Sequence, residues 1–236
     1  MVERTDRSAP GPHADAPVLD EKIERAGEGP ALGLILVHGR GAAASGMLPL
    51  GRELVRLAEP TWAASEASTS PSEVRIACPQ AADRTWYPGS FLEPLEHNEP
   101  WLSSALALLE STSADLESAG IPRSRQVLAG FSQGACLVSE FAGRNVVRWG
   151  GLLAFTGGFQ GPESRAPDFV GDFDGTPMFF GTGTPDPHVP LRRVEETADL
   201  FARMGATVDR LILPGRPHTI SAEEMSRAAA LLREPV

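Results

Sequence analysis

The chain has 236 residues, 42% of them apolar and 22% charged, which suits one large soluble domain with a substantial core. Its formal net charge of −10 argues against charge-driven binding to nucleic acid or to an anionic membrane surface. No stretch approaches the roughly 18 uninterrupted apolar residues of a membrane span, and Met1 to Asp6 lack the apolar core of a secretion signal.

In chain order, residues 1–17 are rich in Pro, Ser, Asp and Gly without periodicity and are predicted to be a disordered tail, with a single domain over 18–236. Val18 to Arg25 suits an edge strand. Leu32 to Val37 is the continuous apolar run of a strand buried on both faces. Met47 to Leu57 has helical spacing, with Leu50, Leu54 and Leu57 on one face. Residues 60–72 are predicted to be a loop, Val74 to Ala77 a short strand, and residues 79–100 a long loop carrying aromatics. Trp101 to Leu116 is predicted to be an amphipathic helix closed by Gly120 and Pro122. A further strand is expected at Leu152 to Phe155, then a polar connection over about 157–175. Strands at Pro177 to Phe180 and Thr207 to Leu213 flank a helix at Leu191 to Met204. Ser221 with Glu224 has the spacing of a capping box. Alternating strands and helices imply a mostly parallel, doubly wound α/β sheet.

The stretch Val127 to Phe141 carries the chemistry. An apolar run leads into Gly130-Phe131-Ser132-Gln133-Gly134, and a small, helix-compatible segment follows. Strand, sharp turn and helix with serine at the apex form a nucleophile elbow. A serine needs a base to take its proton, and the base needs an acid to fix its tautomer. On this kind of sheet the partners follow in the order acid, then histidine. Asp186 and His218 satisfy that order, each in a loop after a predicted strand. Asp172 and Asp174 precede their strand, and Asp199 falls inside a helix. Among the histidines, His13 lies in the tail, His38 suits a loop brace, His97 suits solvent, and His188 is a candidate for the pocket lining. The oxyanion donors are expected to be the backbone N–H of Gln133 and that of Arg40, in the glycine-bearing loop after Leu32 to Val37.

The segments LVHGRGAAASGM, WYPGSF, GFSQGA, GTPDPHVP and GRPHTIS together resemble the phospholipase/carboxylesterase family of α/β hydrolases, over about residues 32–232. That family also contains acyl-protein thioesterases and is related to dienelactone hydrolases. The resemblance implies an α/β-hydrolase fold without a large cap domain and a serine esterase for short or medium acyl chains. It implies Ser132, Asp186 and His218 as the triad, with oxyanion donors at Arg40 and Gln133. The Arg40-Gly41 pair stands where the thioesterase branch usually has Leu-Gly. That departure and the long aromatic loop favour a small-molecule esterase over a depalmitoylating enzyme.

With only about 20 residues between Phe155 and Pro177, the pocket is expected to be open. Trp86, Tyr87, Phe91 and Leu92 are candidates for its wall or for loop anchors, and Phe159 is a further candidate for the wall. Cys78 and Cys136 fit buried free thiols in a reducing cytoplasm rather than a disulfide or metal site. No cofactor is expected, and the expected partner is a small ester. Nothing in the sequence separates a monomer from a homodimer. The rival activities are a lysophospholipase or thioesterase and a lactone hydrolase. A non-catalytic binding protein on the same scaffold is the rival of another class.

Overall fold

Leu32–Val37 (β2), Gln126–Phe131 (β4) and Gly151–Phe155 (β5) are buried along nearly their whole length, as strands covered on both faces must be. They form the centre of a seven-stranded sheet in the computed structural model of the protein, which describes residues 11–64 and 70–232. Val18–Glu24 (β1), Glu73–Pro79 (β3), Pro177–Thr184 (β6) and Thr207–Pro214 (β7) complete it in the order β1-β3-β2-β4-β5-β6-β7. Only β1 runs antiparallel to its neighbour. Between Leu19 and Ile23 it carries three consecutive charged residues, Asp20, Glu21 and Lys22, which suits a sheet edge in solvent.

Alternate residues of the central strands feed two cores. Ile35, Val37, Leu128, Leu152, Ala154, Met178 and Phe180 face one side, packed by helices Trp101–Ser118 (α2), Gln133–Arg144 (α3) and Leu191–Arg203 (α4). Leu34, Leu36, Val127, Ala129, Leu153, Phe155 and Phe179 face the other, packed by Met47–Ala63 (α1) and Ala222–Ala230 (α5). This is the doubly wound α/β-hydrolase arrangement, and no domain-sized insertion stands among the described residues.

Several elements differ from the sequence expectation. α1 runs on through Pro60 to Ala63, because Ala58 and Trp62 are buried and the Trp62 indole N–H donates to Leu232 O at 2.5 Å. Of the loop expected over 60–72, residues 65–69 lie outside the described residues. β6 extends four residues past Phe180 despite two glycines. Those glycines are required by close approach: a Cβ at Gly183 would lie 2.4 Å from Arg216 O. The connection over 157–175 is not simply polar, since Phe159, Gln160 and Phe173 are buried in it.

The expected disordered tail needs correcting over residues 11–17, while residues 1–10 lie outside the described residues. His13 is 1% exposed. Its Nε2 pairs with Trp86 O at 3.0 Å, its Nδ1 accepts from Ala82 N at 3.0 Å, and its ring packs against Trp86 and Trp101. One well-partnered aromatic ring outweighs the disorder-prone composition around it.

Candidate active site

The parallel registers bring one set of strand ends together. Val37 pairs with Gly130, Phe131 with Phe155, and Thr184 with Pro214. His38, Ser132, Thr156, Asp186 and the loop to His218 therefore emerge along one edge, where doubly wound sheets bind ligands.

Ser132 sits at φ 55°, ψ −119°, a conformation rare for a residue with a side chain. The turn is held by Ser132 N–H to Phe155 O and Cys136 N–H to Ser132 O, both 3.0 Å. It requires the flanking glycines: a Cβ on Gly130 would lie 2.4 Å from Gly134 backbone, and one on Gly134 would lie 2.1 Å from Val37 O. The serine thus stands at the N-terminus of α3 with its hydroxyl directed away from the strand.

His218 Nε2 lies 2.9 Å from Ser132 Oγ, and His218 Nδ1 lies 2.7 Å from Asp186 Oδ2. The Asp186 side chain is fully buried, and its Oδ1 accepts the N–H groups of His188 and Val189, each at 2.9 Å. Burial alone would raise the Asp186 carboxyl, but the His218 bond and these two N–H groups hold it below the usual carboxylate range. Asp186 does not cap α4, which starts later, after Pro190. His188 is exposed, with its ring edge-on to His218 at 4.8 Å.

A buried network that the sequence reasoning missed holds the His218 loop. The Arg216 guanidinium donates to Pro217 O and Thr219 O, the carbonyls on either side of His218. It also donates to Thr156 Oγ1 at 3.0 Å and pairs with Glu224 Oε1 at 3.0 Å. Glu224 is fully buried and closes the capping box of α5, accepting Ser221 N–H at 2.7 Å through Oε2. Arg216→Met would leave that carboxylate buried without its cation. It is expected to lower the unfolding free energy by roughly 3–5 kcal/mol, measured by chemical denaturation. A loss under about 1 kcal/mol would show that the pair carries little of the fold.

Of the two roles expected for the aromatic loop, the structure favours the anchor. Trp86 is 0% exposed, Tyr87 1% and Phe91 8%, and all three belong to the core under α2 and α3. They anchor the loop and offer almost no surface to a ligand, so they do not form a pocket wall. The Trp86 indole donates to His38 O at 2.8 Å. Leu92 is partly buried against the same core. Phe159, 4% exposed, lies beneath the Arg193 guanidinium and likewise presents little surface. The ring placed beside the Ser132–His218–Asp186 line is instead Phe131, partly exposed, with its centroid 5.0 Å from that of His218. Its position directly before the elbow serine was the available signal.

His38 is buried and braces its loop. Its Nδ1 pairs with Gly39 O at 2.8 Å and its Nε2 accepts Ala81 N–H at 3.0 Å, while burial lowers its pKa. The Arg40 side chain reaches the aromatic loop, donating to Tyr87 O, Pro88 O and Gly89 O. The Gln133 side chain reaches the same loop. Cys78 and Cys136 are buried and free, and burial pushes both thiols up to about 12. Neither supplies a thiolate at neutral pH. Among the described residues no three His, Cys, Asp or Glu side chains are grouped to hold a metal ion, and no helix is long and apolar enough to cross a membrane.

The profile of the phospholipase/carboxylesterase family matches residues 19–234. A phospholipase/carboxylesterase structure from Dyadobacter fermentans DSM 18053 is 37% identical, with a TM-score of 0.79, and the match covers 92% of this chain and 97% of that one. Acyl-protein thioesterase 1 of Cryptococcus neoformans var. neoformans serotype D is 25% identical over 85% of this chain and 91% of that protein. Acyl-protein thioesterase 1 of Debaryomyces hansenii is 30% identical over 115 residues, so the chain spans about half, 49%, of that relative. Matched along almost all of its length and built on the same sheet, the chain belongs to the phospholipase/carboxylesterase family of α/β hydrolases.

Proposed function

We propose that the protein is a serine carboxylic-ester hydrolase acting on small short- to medium-chain esters through an acyl-enzyme intermediate. The observation that carries this reading is the hydrogen-bonded line from Ser132 Oγ to His218 Nε2 and from His218 Nδ1 to Asp186 Oδ2. Ser132 Oγ attacks the ester carbonyl carbon as its proton passes to His218 Nε2. The carbonyl oxygen takes up the electron pair and is received by the N–H groups of Arg40 and Gln133. His218 then gives its proton to the departing alkoxide. Water repeats the sequence, freeing the acid and restoring the serine. Asp186, ionised and fixed by two backbone N–H groups, stabilises the imidazolium in both halves.

The open strand-end edge supports a preference for acyl chains of roughly two to eight carbons. Each buried methylene contributes about 0.8 kcal/mol only while there is wall to cover it. The rings that were candidates for the pocket wall, Trp86, Tyr87 and Phe91, are committed to the core. Measured on p-nitrophenyl esters of graded length, kcat/KM is expected to rise over the first few carbons and then fall. The names of the curated relatives favour one second reading, hydrolysis of acyl-protein thioesters. A kcat/KM climbing steadily to palmitoyl substrates would select it and refute the short-chain preference.

A further inference from the structure

The two residues assigned as oxyanion donors lie on different elements, Arg40 after β2 and Gln133 at the first turn of α3. Their side chains meet on one carbonyl. Arg40 Nη2 donates to Tyr87 O at 3.0 Å, and Gln133 Nε2 donates to the same oxygen at 2.8 Å. Thr85 Oγ1 donates to that oxygen as well, at 3.1 Å, so three donors converge on it. The grip extends to both sides. Gln133 Oε1 accepts Trp86 N–H at 3.0 Å. Arg40 donates to Pro88 O at 2.7 Å and to Gly89 O at 2.6 Å. The strip they hold cannot slide, because Trp86 and Tyr87 are buried in the core. The Arg40 loop is tied in again by Gly41 N–H to Arg84 O at 2.7 Å.

We propose that the Arg40 guanidinium and the Gln133 amide are positioning groups, which use the Trp86–Gly89 strip as a spacer to set the separation of the two backbone N–H groups that receive the oxyanion. Each residue then acts twice, through its N–H toward the substrate and through its side chain toward the spacer. This rests on the serine-hydrolase reading above. It accounts for arginine at a position whose side chain the chemistry itself does not use. A guanidinium presents several donors in a fixed plane and can hold three successive carbonyls, whereas an ammonium is a point donor. Oxyanion stabilisation depends on donors already placed where charge will develop. Releasing the spacer therefore raises the barrier without weakening ground-state binding.

The test is Arg40→Met, which keeps the backbone N–H and much of the stem, beside Arg40→Lys and Gln133→Met. Steady-state kinetics on a short p-nitrophenyl ester are combined with the inhibition constant of a trifluoromethyl ketone of the same acyl length. Ser132 Oγ adds to that ketone carbon, its proton passes to His218, and the ketone oxygen becomes an oxyanion. Arg40→Met is expected to lower kcat roughly 10- to 100-fold with KM within about twofold, and to weaken the ketone by the same factor as kcat. Arg40→Lys is expected to recover part of both. The Arg40→Met, Gln133→Met pair is expected to lose less than the product of the single losses, since both act on one carbonyl. A variant with wild-type kcat and ketone affinity but a lowered Tm would overturn the proposal and leave Arg40 a loop anchor. If Arg40→Met does not fold, Arg40→Lys and Gln133→Met decide on the same two readouts. Failure of a serine-directed phosphonate to label wild-type Ser132 would instead defeat the underlying serine-hydrolase reading.

Discussion

Ser132→Ala is expected to lower kcat by roughly a million-fold, about as much as removal of the whole triad costs in a serine protease. The fold should be untouched. The elbow is held by backbone bonds and by glycines that the substitution leaves alone, and the hydroxyl's recorded partner is His218. Alanine at φ 55° bears the same strain as serine, since both carry a Cβ. Circular dichroism and Tm should therefore match the wild type while ester hydrolysis disappears. A serine-directed phosphonate should label the wild type once per chain at Ser132, and the variant not at all. The cysteines should not compete, because burial pushes both thiols up to about 12. An active variant, or a label on another residue, would remove Ser132 as nucleophile.

Asp186→Asn is expected to cost roughly 10⁴-fold in kcat with a smaller effect on KM. The site's own geometry sharpens this expectation. Two backbone N–H groups, of His188 and Val189, bond to one carboxylate oxygen, so that end of an asparagine must remain the oxygen. The amide NH₂ is then turned to His218 Nδ1. The imidazole is driven to the tautomer carrying its proton on Nε2, where it cannot accept from Ser132. Asp172→Asn and Asp174→Asn should leave kcat within about twofold. If either were the damaging change, the acid would be misassigned. The same carboxylate links stability to pH. Its folded pKa is depressed, so its contribution to stability is present above the unfolded value of about 3.9 and is lost as pH falls through the lower folded value. Unfolding free energies of the wild type and Asp186→Asn, measured across pH, should differ most at neutrality and converge in acid.

The hydrogen-bonded line of Ser132, His218 and Asp186 was legible in the sequence because each of the three follows a run that reads as a strand. Leu32 to Val37 reads as buried because it is apolar throughout, and its bounds match the structure. Gly130 and Gly134 signalled the elbow because only glycine fits where backbone approaches to within 2.1–2.4 Å of a would-be Cβ. The order serine, aspartate, histidine then placed Asp186 and His218, and the strand registers bring the three to one edge. The capping box of α5 was equally plain, being a contact within one turn.

What the sequence left open depends on contacts between distant segments. Trp86 and Tyr87 are amphipathic rings that suit a pocket wall or a core equally well; only the packing of α2 and α3 over them decides for the core. His13 lies in a stretch whose composition predicts disorder, yet a site formed by Trp86, Ala82 and Trp101, some 70 to 90 residues away, buries it. Glu224 reads as a capping-box residue and Arg216 carries no signal at all, until the fold buries both and turns the guanidinium onto the His218 loop. Apolar runs and helical spacing determined the layers, and the elbow motif with the order of residues at strand ends pointed to Ser132, Asp186 and His218, because all of these are read along the chain. Which polar side chains brace the site was decided by tertiary structure alone, because a buried hydrogen bond exists only once both of its ends have been carried to the same place.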